Sequence, residues 1–240
     1  MWELLLHLDS NFFHMGALRS PFFLSIYIMA VFPTEYTEDQ KAAVNEMLMS
    51  IGQAPLTTLE NTNPDVTLAY NTLLNVSKEI QSEGWTFNME YDKKVDRDSG
   101  TNKIDYRTNA LQMDLTDNAE NTSQDAVVRA DSDGVLRMYN RAKTSNHFIW
   151  DYNPHFDIKY FFDFDELPRP ILNYVIARAS TVFASRIVGD MNQFQLLSTK
   201  EANARAQAME YECNQGDHSF FGTSAVRYQP YKPYNALLRS

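Results

Sequence analysis

The sequence predicts an α+β protein, mainly helical: a split four-helix bundle with an inserted small antiparallel β domain and an extended C-terminal arm. Three observations predict it. Two stretches, one ending at Gly84 and one beginning at Asp165, carry apolar residues at helical spacing between cap residues. Between them the chain turns polar, with turn residues at strand-like intervals. After Gly216 the periodicity vanishes and tyrosine alternates with proline. The organisation read from this is an N-terminal segment (1–36), a first helical half (37–90), an inserted β domain (91–164), a second helical half (165–216) and an arm (217–240).

The first half is punctuated at nearly every boundary. Thr37 with Gln40 fits a capping box, in which a hydroxyl and an amide satisfy orphan N–H groups reciprocally. Val44, Met47, Leu48 and Ile51 then fall at i, i+3, i+4 and i+7, one helix face. Gly52 suits a left-handed helix end. The polar stretch 53–63, with Pro55, reads as loop. Asn63-Pro64 opens a second helix, asparagine as N-cap and proline where its missing N–H costs nothing. Its buried stripe is Val66, Ala69, Leu73, Val76 and Ile80, and Gly84 stops it. Trp85 to Met89 alternates large apolar with polar residues and predicts a half-buried strand. Gly84, Trp85 and Phe87 therefore stand as a structural joint between helices and sheet.

From Tyr91 the turn residues are Asp-Ser-Gly at 98–100, Asp-Asn at 117–118 and Asp-Ser-Asp-Gly at 131–134. Strand character lies between them at 103–107, 110–115, 126–129 and 135–139, with Asp133-Gly134 as a hairpin corner. The aromatic run 148–164 reads as two more strands broken at Asn153-Pro154. Helix returns at Asp165, with Pro168 and Pro170 in the first turn. Ile171, Tyr174, Val175, Ala179, Val182 and Phe183 form its stripe, and Gly189-Asp190 breaks it. A last helix spans about 192–214, with a kink or split near Leu197 suggested by a second capping pair, Ser198 and Glu201. Leu196, Ala204, Ala208 and Tyr211 give it a narrow face for close packing, and Gly216 ends it. In the arm, Tyr228, Tyr231 and Tyr234 recur every third residue, the period of polyproline II. With Phe220 and Phe221 these rings are the candidate partner interface; a tail folded back on its own domain is the competing reading.

Composition narrows the function. At 240 residues, 44% hydrophobic and 22% charged, the chain is a soluble globular type with room for one large domain or two small ones. A net charge of -10 argues against non-specific nucleic-acid binding at the outer surface, which needs Lys and Arg. A channel lining stays compatible, since an acidic wall repels DNA and lets it pass without sticking. One cysteine, Cys213, precludes an internal disulfide and is expected as a small packed residue. The apolar run 22–32 has no basic flank or small-residue cleavage site for a signal peptide, and is too short to span a membrane. Two readings stand for it: the true start lies at Met29, or residues 1–28 are translated and are disordered or pack on a neighbouring subunit.

Candidate chemistry is sparse. Asp163, Asp165 and Glu166 could be a glycosidase-like pair, but acids before a helix start more simply complement its dipole. His147 and His155, eight residues apart with no third ligand, read as exposed strand or loop histidines. Asp92, Asp96 and Asp98 lack the glycine and terminal glutamate of a calcium loop and read as a solvated turn. No phosphate-loop, dinucleotide, nucleophile-elbow or zinc-protease motif occurs. No catalytic, metal or cofactor residue is assigned.

Three blocks carry a family resemblance: NEMLMSIGQAPLTTLE (Asn45 to Glu60), IQSEGWTFN (Ile80 to Asn88), and DELPRPILNYVIARASTVFASRIVGD (Asp165 to Asp190) continuing through ARAQAMEYE (Ala204 to Glu212). In this order they resemble the tail tubular protein A family, the adaptor or gatekeeper proteins of short-tailed podoviruses of the autographivirus type. The blocks cover roughly half of the chain, and none is a catalytic signature. The resemblance implies a non-enzymatic virion protein assembled in the host cytoplasm. It implies a homo-dodecameric ring joining the portal protein to the tail nozzle (tail tubular protein B) and supporting the tail fibre protein. Genomic DNA would pass through the lumen without specific binding, with no cofactor and no membrane. The alternative is a tail-associated hydrolase of bacterial surface or cell-wall polysaccharide, using Asp151, Asp157, Asp163 and Asp165. A plain soluble oligomerisation module is a third reading.

Overall fold

The computed structural model describes residues 36–59, 63–118, 121 and 124–215. The N-terminal segment up to residue 35, both readings of its start, Gly216 and the whole arm lie outside the described residues. Four helices and five strands follow in the order α1 (Glu38–Ser50), α2 (Pro64–Ser82), β1 (Met89–Lys94), β2 (Ala110–Leu115), β3 (Ala126–Ala130), β4 (Leu136–Asn140), β5 (His155–Tyr160), α3 (Arg169–Ile187) and α4 (Met191–Gln215).

The helix starts are built as their sequences dictate. Thr37 accepts from the Gln40 N–H at 3.2 Å while the Gln40 side chain accepts from the Thr37 N–H, closing the capping box. Gly52 takes φ +83 just past α1. Asn63 Oδ1 accepts from the Asp65 N–H at 3.0 Å, with Pro64 at the first helical position. The stripe from Val66 to Ile80 is buried throughout. Helix α3 starts later than Asp165. A 3-10 turn, Phe164–Glu166, comes first, because Pro168 and Pro170 fit only a first turn or its cap. Val182, expected in the α3 stripe, is half-buried at its margin.

Hydrogen bonds fix how the helices run. Thr37 Oγ1 donates to Asp165 Oδ1 at 2.7 Å and Arg169 pairs with Asp39 at 3.0 Å, so α1 and α3 start together. At the opposite end, Gln53 donates to Asp65 at 2.6 Å, Arg186 to the Thr72 hydroxyl at 3.2 Å, and Gln193 to the Ser50 carbonyl. Helices α1 and α3 thus run one way and α2 and α4 the other. Tyr36, Val44, Leu48, Leu73, Ile80, Trp85, Ile171, Val175 and Phe183 are among the residues that fill the space between them.

The strands form two sheets, not one. The first is β1-β5-β2, antiparallel throughout; the second is the β3-β4 hairpin. Phe156, Ile158 and Tyr160 alternate inward along the central strand β5. They join Trp150, Met138, Ile104 and Met113 in a second apolar cluster. Gly134 takes φ +74 at the β3-β4 corner, where its N–H donates to the Asp131 carbonyl at 2.9 Å. Three expected strands differ. Residues 103–107 contribute only an isolated bridge, Asp105 to Arg137, because Asp98 folds the preceding chain into a tight turn. The run 148–164 holds one strand, not two, since Trp150 turns inward and donates from its indole to the Met138 carbonyl at 3.1 Å. Residues 85–89 are not a strand: Thr86–Asn88 is a 3-10 turn, and β1 starts at Met89. Asn88 explains this change, because its carboxamide accepts from the Trp85 N–H at 2.8 Å and closes a tight loop.

Helix α4 is one unbroken helix of 25 residues, with no split near Leu197. Asp190 serves its start instead, accepting from the Asn192 N–H at 3.0 Å. Among the described residues no helix is long and apolar enough to cross a membrane.

Candidate assembly surfaces and the junction between the two cores

The two apolar clusters meet where α2 hands over to β1 and β5 returns toward α3. Gln81, fully buried, holds this meeting point. Its side chain donates to the Phe162 carbonyl at 3.0 Å and accepts from the Phe162 N–H at 2.8 Å, as a strand neighbour would. Asn88, also buried, donates to the carbonyls of Gln81 (2.8 Å) and Tyr160 (3.0 Å). The Trp85 indole donates to the Ile80 carbonyl at 2.7 Å and packs edge-on to Tyr174. Phe87 lies 6.0 Å from Phe162, whose ring touches both clusters. Gly84 takes φ +83, which disfavours any side chain, and the stem of Lys159 lies over it. The sequence singled out Gly84, Trp85 and Phe87. It missed Gln81 and Asn88, which carry the polar contacts; the only available cue was a glutamine on the apolar face of α2.

The opposite end of the helices is different in kind. Met49 at the end of α1, Leu68 near the start of α2, Ile187 and Val188 at the end of α3, and Met191, Phe194 and Leu196 at the start of α4 are all exposed. Met191 is 66% and Leu196 74% exposed. Four helix termini thus gather large apolar side chains at the end remote from the sheets. Leu196 belongs to this surface, not to the packing face expected of it.

Helix α4 packs chiefly along α3 and reaches α1 and α2 through polar side chains. Ala208 is its one fully buried residue among those described, with Ala204 and Tyr211 partly buried against the core. Lys200 pairs with Glu46 of α1, Glu201 with Arg178 of α3 at 2.9 Å, and Arg205 with Glu83 at the end of α2 at 3.3 Å. Arg205 also donates to the Tyr174 hydroxyl at 2.6 Å, a hydroxyl that burial raises above its ordinary pKa and Arg205 pulls back. Glu212 accepts from the N–H and hydroxyl of Thr86 at 2.9 and 2.5 Å. Cys213, expected to be packed, is exposed, because it lies off the stripe that runs through Ala204, Ala208 and Tyr211.

The remaining candidate residues are dispersed. Asp165 is bound by Thr37, and the Asp163 N–H donates to Glu166 at 3.3 Å. Asp151 pairs with Lys143 at 2.6 Å, which holds its carboxyl below the usual range. Asp157 accepts from Thr116 and from the Asp92 N–H on the sheet. Asp98 binds its own turn through Gly100 and Thr101, while Asp96 accepts from Asn153 and Asp92 from Asn118. His147 and His155 are half-buried, not exposed. His147 contacts the Asn140 carbonyl at 2.9 Å and stacks on Tyr139; His155 contacts the Asp92 carbonyl at 3.0 Å. Among the described residues no three His, Cys, Asp or Glu side chains are grouped to hold a metal. Tyr228, Tyr231, Tyr234, Phe220 and Phe221 lie outside the described residues.

A search of curated proteins returned no match. The family model for tail tubular proteins matches residues 42–218, from the first turns of α1 to just beyond α4, and so takes in the junction, the apolar helix end and the α4 seam. Over this span, more than half of its length, the chain belongs to the tail tubular protein family, structural proteins of the bacteriophage tail.

Proposed function

We propose that this chain is the adaptor of a short phage tail: twelve copies form a ring between the portal and the nozzle. The ring surrounds the DNA ejection channel, supports the tail fibres and carries out no catalysis. The observation that carries this reading is the apolar helix end. Seven large exposed apolar side chains from four helices at one end of a subunit form a surface suited to burial in an assembly. The three sequence blocks supply the ring and its neighbours. We read the helices as the body of the ring, residues 91–164 as a domain inserted into it, and Gly84, Trp85 and Phe87 with Gln81 and Asn88 as the joint. The arm, 217–240, docks on the portal or on a neighbouring subunit, with its phenylalanines and tyrosines as contacts.

Negative-stain imaging of the full chain produced together with the portal tests the ring. Twelve-fold rings are expected for the natural sequence, and loss of rings for Met191→Glu combined with Leu196→Glu. Rings that form undiminished in the double variant would remove the helix end from the interface. Particles of another symmetry would overturn the dodecamer. Deleting residues 220–240 should leave a folded protein that no longer joins the portal; tailed virions built from it would end the proposed role of the arm.

A further inference from the structure

Helix α4 buries one residue, Ala208, where α1 buries four, α2 nine and α3 eleven. The buried and half-buried positions of α4 mix Leu197, Ala204, Ala208 and Tyr211 with Gln193, Ser198, Glu201 and Glu212, and six residue pairs across its seam are ionic or hydrogen-bonded. One ion pair goes to each of the other three helices: Glu46 on α1, Glu83 at the end of α2 and Arg178 on α3. Glu79, Glu83, Glu201, Arg178 and Arg205 line a groove shared by α2, α3 and α4, together with Tyr174 and Ser198. Ion pairs at partly exposed sites are weak and are screened by salt, whereas buried apolar area is not. At its start the helix hangs from Gly189 at φ +66, a residue free to change its backbone angles.

We propose that α4 is a detachable strap: a helix seated by ion pairs, able to leave the bundle without unfolding α1 to α3. The arm begins directly after α4, so the seat fixes where the arm starts. Glu212 at the far end of the strap clasps Thr86 beside the junction, so release of α4 also frees Thr86 from that clasp. The strap gives an assembling subunit a way to reposition its arm while its core stays folded. The seat is a property of the single chain and does not rest on the ring.

Amide hydrogen exchange followed by mass spectrometry on the full chain, at low salt and in 1 M NaCl (Debye length about 3 Å), reads the seat directly. Exchange across 193–215 should accelerate roughly fivefold or more in high salt, while 171–187 stays protected. A combined Glu46→Gln, Glu83→Gln and Glu201→Gln variant should exchange fast in this region at both salt concentrations. Retained protection of α3 in that variant shows that it has folded. If α4 is as protected as α3 at both salt concentrations, the strap is wrong. If protection of α4 in the neutralised variant matches the natural sequence, ion pairs are not what seats it. Acceleration of α3 and α4 together would mean global opening and would also overturn it.

Discussion

Helices α3 and α4 are neighbours in sequence and in space, joined by three residues, yet they are held by opposite means. Helix α3 has 19 residues and buries eleven of them, Ile171, Tyr174, Val175, Ala179 and Phe183 included. Helix α4 has 25 and buries one. Each buried side chain of Val, Leu or Phe size contributes roughly 1.5–3 kcal/mol. An exposed ion pair contributes about 0–1 kcal/mol. The helical core is therefore built mainly by α1 to α3, with α4 adding Ala208 and the partly buried Ala204 and Tyr211. A helix can be long and well formed without being strongly attached, because hydrogen bonds within a helix do not attach it to its neighbours.

The largest test of that difference is Phe183→Ala. The ring is fully buried, so its loss should cost about 3–5 kcal/mol in urea unfolding. A loss under 1 kcal/mol would mean that α3 is not the centre of the core. Next comes Gln81→Leu at the junction. It leaves the Phe162 N–H without its acceptor and should cost about 1–3 kcal/mol, with the sheet residues 155–160 losing exchange protection first. Unchanged protection there would detach Gln81 from the joint. Smallest among the helices is Glu201→Gln, expected to cost less than about 1 kcal/mol at low salt and to be invisible in 1 M NaCl. A large, salt-independent loss would make α4 resemble α3 after all.

The sheets add a pH-dependent contrast, because their ion pairs are better shielded than those of α4. Asp131 is hydrogen-bonded by Lys103 and receives Arg137 at 2.5 Å, and these contacts hold its carboxyl far below the usual range. Its folded pKa is depressed, so its contribution to stability is present above about pH 4, near the unfolded value of an aspartate. That contribution is lost as pH falls toward the folded value. Asp131→Asn should flatten the fall in unfolding midpoint below about pH 4, followed through tryptophan fluorescence, to which buried Trp85 and Trp150 contribute. An unaltered acid limb would show that the Lys103–Asp131–Arg137 cluster does not set it.

Legibility in the sequence followed the range of the interactions. Thr37, Gly52, Asn63-Pro64 and the Asp133-Gly134 corner were readable because each is satisfied within four residues. Buried stripes on α1 to α3 were readable because apolar periodicity is a local pattern. Trp85 to Met89 misled because alternation is equally compatible with a tight turn, and only the Asn88 carboxamide bond decided between them. The extra strand in 148–164 misled for the same reason: Trp150 is apolar, but it serves the cluster from a turn. Leu196 and Cys213 misled because the apolar residues of α4 are spread around the helix, so periodicity does not single out its inner face.

By itself the sequence determined the starts of α1 and α2, the β3-β4 corner, most of the buried stripes on α1 to α3 and the membership of a tail protein family. Those depend on backbone chemistry within a turn or on patterns repeated along one element. Only the tertiary structure decided that Gln81 and Asn88 splice two cores, that exposed apolar side chains of four helices lie at one end, and that ion pairs run from α4 to each of the other three helices. Such arrangements join residues up to 154 positions apart, as Glu46 and Lys200 are, and no local pattern records them.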